Sequence, residues 1–369
     1  MFRPQIQKTK VMLSLAILIM VMVYWSVNSY VKKPTYGYDI KKRAIKLMID
    51  SIEEIRNEFV SRNINNGKDT TSYGSFLIGP KESIIQTTNG SLNSKLAVLN
   101  PDFAAMIVEM FMELNLNNKD TVAVSYTGSY PGANIAILSV LEAMNIYAIM
   151  ISSCGSSEYG ATYPSFTWID MEAFLNKSFS NHSTLASIGG GSDLGGQLGT
   201  QGRRTCEASI YNNKIELLNI DNALENIENR ITHYTENSQI SAFINIGGGV
   251  YSTGDSLKRN SLSPGIIYPD DILAENNIET VIDKFLDMDI PVINLNHINK
   301  LSVWYDLPYP PNLNHKHGVG SLFYLIKPYN PIVIIIALII SAGTVFAIGV
   351  ISHNEIKKRM YSSEPESFI

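Results

Sequence analysis

The sequence predicts an α/β fold with a parallel sheet, held between an N-terminal and a C-terminal transmembrane helix. Three observations predict it. Apolar runs of four to six residues alternate with helical stretches through the middle of the chain, as in strands covered by helices on both faces. Four of these runs are followed at once by clusters of Gly, Ser and Thr. Two long uncharged apolar runs stand near the ends.

Composition narrows the classes first. The 369 residues are 45% hydrophobic and 17% charged, and mean hydropathy is +0.03. With 29 Lys and Arg against 34 Asp and Glu there is no basic footprint for nucleic acid. Two cysteines, Cys154 and Cys206, are too few for a disulfide scaffold or a four-thiolate zinc site. Of the formal charge of −5, the first ten residues carry +3 and the last eighteen carry none net, which leaves −8 on the segment between the spans.

In chain order, residues 1–10 are a basic tail with Arg3, Lys8 and Lys10. Residues 11–27 are 17 uncharged residues, long enough to cross a bilayer when Tyr24 and Trp25 sit at the headgroups. No A-x-A-like site follows, so an uncleaved anchor is expected rather than a cleaved signal peptide. Residues 28–72 hold a juxtamembrane amphipathic helix and a polar linker. Ile45, Met48, Ile52, Ile55 and Phe59 recur at helical spacing, a seam for packing on the chain's own domain or, alternatively, on a partner helix.

The α/β domain is expected over residues 73–330. Residues 76–88 suit a β-hairpin turning at Gly79-Pro80. Asn100-Pro101-Asp102 starts a helix to about Leu116. Strands are expected at residues 121–125, 147–152, 185–188, 242–246 and 290–295, with helices at 133–145, 221–236 and 274–287. This alternation is Rossmann-like. A second span follows at residues 331–351, an uncharged 21-mer flanked by Lys357, Lys358 and Arg359 in the tail of residues 352–369. A buried core helix is the alternative there. The basic tails place both ends inside and the domain outside, where Cys154 and Cys206 would either pair or stay as buried thiols.

Ligands of open parallel sheets sit beyond the carboxyl ends of the strands. The segments there supply candidate ligand-binding residues: Gly128, Ser129 and Asn134 after the first strand, then Ser156 and Ser157 after the second. Gly189, Gly190, Gly191 and Asp193 follow the third, and Gly247, Gly248 and Gly249 the fourth. Such loops expose backbone N–H groups and hydroxyls to an anion, although small residues also serve tight turns. The third and fourth loops match one another 58 residues apart. Ser129 is a candidate nucleophile or a helix cap. Asp170 and Glu172 are candidate acid/base carboxylates if on a strand, where i and i+2 point the same way, and ordinary helix-start charges otherwise. Asp193 and Asp255 are further acidic candidates. No P-loop, dinucleotide fingerprint or nucleophile elbow is present, and His315 and His317 lack the companions of a metal site, so no metal and no cofactor are expected.

Val122-Ala123-Val124-Ser125, Gly128-Ser129-Tyr130-Pro131, Asn134-Ile135, Ser156-Ser157-x-Tyr159-Gly160-Ala161 and Thr167-Trp168-x-Asp170-Met171-Glu172 together resemble the bacterial poly-gamma-glutamate system protein family. The triple glycines and Asn100-Pro101-Asp102-Phe103-Ala104-Ala105 fit the same pattern, over about residues 35–255. The resemblance implies a membrane-anchored accessory component of poly-gamma-glutamate capsule biosynthesis or export. Its implied partners are the lipid bilayer, other synthesis membrane proteins and the gamma-linked glutamate polymer, and its place is the bacterial cytoplasmic membrane, as a two-pass protein. The alternatives are a hydrolase or transferase acting on gamma-glutamyl polymer, using Ser129 with Asp170 or Glu172, and a ligand-binding or sensor module. An acidic domain repels a polyanion in general, so contact with the polymer is expected to be local.

Overall fold

The computed structural model describes residues 8–64, 75–271, 279–312 and 315–362. They fall into two compact units, one of residues 36–323 and one made from the two ends of the chain. The first helix, α1 (Thr9–Val27), contains no Gly or Pro and leads into a short strand, β1 (Tyr30–Pro34). Helix α2 (Tyr38–Ser61) starts after Gly37, whose φ of 71° is the left-handed turn that redirects the chain. Ile45, Met48, Ile52, Ile55 and Phe59 are all buried, as their spacing requires.

No hairpin forms between residues 76 and 88. A single 3₁₀ turn (Ser75–Leu77) is followed by Gly79 and Pro80 lying against Gly160 and Thr162, with Thr162 Oγ1 donating to the Pro80 carbonyl at 2.8 Å. The apolar run ends in β2 (Gln86–Thr88), which pairs in parallel with a segment some 70 residues on. The turn residues were legible, whereas the partner strand is not a sequence neighbour. Two helices follow, α3 (Leu92–Ala97) and α4 (Asp102–Glu113), the second begun by Asn100 Oδ1 accepting from Asp102 N at 3.0 Å.

Then the alternation begins. Strand β3 (Thr121–Ser125) is followed by α5 (Pro131–Met144), which has Pro at its first turn, where no N–H is needed. Strand β4 (Tyr147–Ser153) and the short β5 (Ser156–Ser157), the partner of β2, precede α6 (Trp168–Leu175). After these come β6 (Leu185–Ser187), α7 (Thr200–Asn212), β7 (Glu216–Leu217), α8 (Ala223–Thr235) and β8 (Ile240–Ile246). Two short helices, α9 (Val250–Thr253) and α10 (Ser256–Ser261), lead to β9 (Gly265–Ile267). Helix α11 (Val281–Asp287) is closed at its start by the Thr280–Asp283 capping box. Residues 274–278 of the helix expected there lie outside the described residues. Strand β10 (Val292–Leu295), helix α12 (Ile298–Trp304), strand β11 (Tyr324–Pro328) and helix α13 (Pro331–Ser362) complete the order.

Seven strands form one sheet in the order β7-β6-β4-β3-β8-β10-β9, parallel throughout except for β9 on the edge. All five expected strands are in it. The two extra strands, β7 and β9, have two and three residues and leave no periodic signal. Leu185 of β6 packs with Tyr234, Phe243 and Phe285 of α8, β8 and α11, while the next residue, Ala186, packs with Ile169, Cys206 and Ile210 of α6 and α7. Successive side chains on a strand point to opposite faces, so helices cover both. Helix α2 packs on α4, α5 and α6, and so belongs to the α/β unit rather than to a partner. The chain order places β3 and β8 side by side, with β4, β6 and β7 running one way and β10 the other. The sheet therefore reverses between β3 and β8, and its crevice opens there.

In the terminal unit, β1 and β11 form an antiparallel two-stranded ribbon with Tyr30 opposite Pro328 and Pro34 opposite Tyr324. Helices α1 and α13 pack on each other. Ser29 Oγ accepts from Asn330 N at 2.9 Å and ties the two helix ends at the ribbon. Both helices are long and apolar enough to cross a membrane, and the N-terminal one also fits a signal sequence. Helix α13 continues past Ile351 through its basic end to Ser362.

Candidate functional site

Segments following β3, β4, β6, β8 and β10 converge at the carboxyl edge of the sheet around a cleft of about 320 Å³. Its floor is built from β3 outward. Asn134, in the first turn of α5, donates from Nδ2 to the Thr127 carbonyl at 2.8 Å and pins the loop. Gly128 sits where a Cβ would come 2.5 Å from the Cys154 carbonyl oxygen, so only glycine lets the loops after β3 and β4 touch. Ser156 Oγ closes this contact by donating to the Gly128 carbonyl at 3.0 Å. Gly128, Asn134 and Ser156 thus shape the cleft from behind, while Ser129 and Ser157 line it.

Beneath these two serines lies Lys95 of α3, 2% exposed. Its Nζ donates to the Ser129 carbonyl at 2.5 Å, is 2.7 Å from Ser157 Oγ, and sits over the Tyr130 ring, 3.6 Å from the centroid. Ser157 N in turn donates to Ser129 Oγ at 3.0 Å. Among the described residues no carboxylate pairs with Lys95. Burial alone pushes its amine down to about 7, and burial raises Tyr130 to about 12, so the phenol stays neutral.

The triple glycines close the other walls. Gly189 and Gly247, the first of each set, both take left-handed φ, 82° and 76°, which ends β6 and β8 in the same way. The match 58 residues apart is thus a shared strand-end conformation at two places in one sheet. It stops at the second glycine, since Gly190 has φ 77° while Gly248 is not left-handed. Gly190, Gly191, Gly248 and Gly249 line the cleft, with Gly248 packed on the aliphatic and guanidinium atoms of Arg259. Asp193 also lines it, but its carboxylate is already paired with Arg230.

Two donors at the cleft have no acceptor among the described residues. Arg259 Nε and Asn296 Nδ2 are both buried without a hydrogen-bond partner, and among the described residues Arg259 forms no ion pair. Asn296 uses only its Oδ1, which accepts from His297 N at 2.9 Å. A buried unsatisfied donor costs about 1–3 kcal/mol, which an acceptor ligand would relieve at both positions.

Asp170 and Glu172 are not on a strand and do not face this cleft. Asp170 is the third residue of α6, where its carboxylate accepts from Thr167 N at 2.8 Å in a capping box, and it receives Asn213 Nδ2 at 2.7 Å. It borders a separate polar groove with Glu58, Arg62 and Lys177. Glu172 is fully buried, accepting from Ser152 Oγ at 2.5 Å and Ser183 N at 2.7 Å, and burial raises its carboxyl above the ordinary range. Asp255 is the N-cap of α10, accepting from Leu257 N and Lys258 N. All three carboxylates are spent on local structure. Cys154 and Cys206 are buried free thiols in one cluster. His317 meets Asn100, and His315 meets Asp102; among the described residues no cluster suits a metal ion.

Sequence reasoning missed Lys95, Arg259, Asn296 and the strip of residues 87–91 that forms the outer rim. Asn296 follows the fifth strand, so the rule that found the other loops extends to it. Lys95 carries no such signal, because Ser129 and Ser157 are 34 and 62 residues away. Compared with protein-family profiles, curated proteins and solved structures, the chain gives no match.

Proposed function

We propose that this chain is a membrane-anchored component of a poly-gamma-glutamate capsule system, and that its cleft holds the carboxylate-bearing end of a gamma-linked glutamate chain. One observation carries the binding half of this reading: Arg259 Nε and Asn296 Nδ2 are buried donors on one cleft with no acceptor among the described residues. A carboxylate is the small group that accepts from both and brings the charge Arg259 lacks. The volume, about 320 Å³, is at the lower end for small-molecule sites and suits a chain end rather than a length of polymer. The reversal of the strands between β3 and β8 supports the Rossmann-like reading of the sheet. The capsule half rests on the resemblance of the residues around Gly128, Ser156 and Thr167.

The net −8 between the spans and a polyanionic ligand are reconciled locally. Asp193 is neutralised by Arg230, and the Arg259 guanidinium remains beside the cleft. On this reading the protein passes twice through the bacterial cytoplasmic membrane. The ribbon joins α1 and α13 at one end, which puts both tails at the other. In the sequence, the two tails carry Arg3, Lys8, Lys10, Lys357, Lys358 and Arg359, and because long domains translocate largely regardless of their charge, these basic tails favour tails inside and the α/β unit outside. The system role is tested by replacing the chromosomal copy with Arg259→Gln. Loss of surface polymer with the chain still in the membrane is expected; wild-type polymer would overturn the role.

A further inference from the structure

We propose that Ser157 and Lys95 form a nucleophile–base pair, making this cleft an acyl-transfer site for amides or esters that carry a carboxylate. The observations concern chemistry that binding alone does not need. Ser157 lines the cleft while Lys95 lies beneath it, with Nζ 2.7 Å from Ser157 Oγ. The other directions around Nζ are occupied by the Ser129 carbonyl and the Tyr130 ring face. A neutral amine in that cage gives its two hydrogens to the carbonyl and the ring and turns its lone pair to the Ser157 hydroxyl. Desolvation by the surrounding walls lowers the amine to about 7, so a large share of it is neutral near pH 7, the state a base must have. The assignment moves the reactive role from Ser129 to Ser157, because Lys95 touches only the backbone of Ser129. The Ser129 hydroxyl accepts from Ser157 N and has no acceptor of its own among the described residues, so its hydrogen is left to donate to an oxyanion.

The steps balance without a further reagent. Lys95 Nζ takes the Ser157 hydroxyl proton as Oγ bonds to the acyl carbon, giving a tetrahedral oxyanion that receives the Ser129 hydroxyl. Collapse breaks the bond to the leaving amine or alcohol, which departs with the proton from Lys95. The acyl group is then an ester of Ser157. Water or a second amine gives a proton to Lys95 and attacks the ester carbon, and Ser157 Oγ regains its proton as it leaves. Arg259 and Asn296 would hold the substrate carboxylate; the carboxylate on the substrate rests on the reading above, and the Ser157–Lys95 pair does not.

A fluorophosphonate probe separates the two ideas, since it reacts with an activated serine whatever the natural ligand is. The full chain in detergent is incubated with the probe from pH 5 to 9, and the modified peptide is found by mass spectrometry. Labelling is expected at Ser157, rising with pH to a plateau with its midpoint near 7. Ser157→Ala abolishes it, and Lys95→Arg, which keeps a buried cation but removes a usable base, slows it about a hundredfold. A melting curve beside each variant reports folding, and Lys95→Met serves if the arginine does not fit. No labelling of the folded wild type, equal labelling in folded Lys95 variants, or a rate without a plateau near neutrality would overturn the pair. Binding of gamma-linked glutamate to the unmodified chain is read separately by calorimetry, so either idea can fail alone.

Discussion

Lys95 lies beneath the cleft with its amine lowered to about 7 from 10.5. Between those values the unfolded chain holds a proton that the folded chain lacks, so stability rises with pH across that window. Lys95→Met removes the titration. Its melting temperature relative to wild type is expected to be most favourable at pH 6 and to lose that advantage by pH 10. A difference independent of pH would contradict the buried, unpaired amine. Glu172 titrates in the opposite sense. Its folded carboxyl lies above the ordinary value, so stability present at low pH is lost as pH rises through the folded value. Glu172→Gln can still accept from Ser183 N and face Ser152. It is expected to gain on wild type in melting temperature as pH rises above the ordinary carboxylate range and to leave surface polymer unchanged. Loss of polymer with the fold intact would return Glu172 to the functional residues.

Among the elements, those with a local period were legible and those made by distant pairing were not. Ile45, Met48, Ile52, Ile55 and Phe59 form the buried seam of α2 because helical geometry repeats within five residues of each position. Strands β3, β4, β6, β8 and β10 announced themselves as apolar runs, and the loops after the first four as clusters of small residues. The pairing of β2 with β5 and of β1 with β11 depends on residues far apart in sequence, and no window contains both. The cleft inherits this split: its glycines were readable, its lysine was not. Gly128 provides the test at this scale. Gly128→Ala drives a methyl into the Cys154 carbonyl and is expected to destabilise by about 1–3 kcal/mol in chemical denaturation, as overpacking does. Gly199→Ala, with nothing within 4 Å of the added Cβ, should change stability by no more than about 0.5 kcal/mol. Equal effects at both would show that the loops after β3 and β4 do not meet at Gly128.

Across the whole molecule, the average hydropathy of +0.03 combines two unlike units. One is a pair of exposed apolar helices tied by a ribbon; the other is an acidic α/β unit of residues 36–323. The ribbon requires both tails on one side of any membrane the pair crosses. Reporter fusions at residue 8 and after residue 362 should therefore report the same compartment, and a fusion within the α/β unit the other. Opposite compartments for the two tails would refute the paired-helix topology. The central claim concerns the cleft, and calorimetry of the detergent-solubilised chain with short gamma-linked glutamate oligomers tests it most directly. The account predicts saturable binding at one site per chain, weakened about ten- to a hundredfold by Arg259→Gln, the loss of a charged hydrogen bond of about 1.5–3 kcal/mol. Absence of binding, or the same affinity in the folded Arg259→Gln variant, would contradict it.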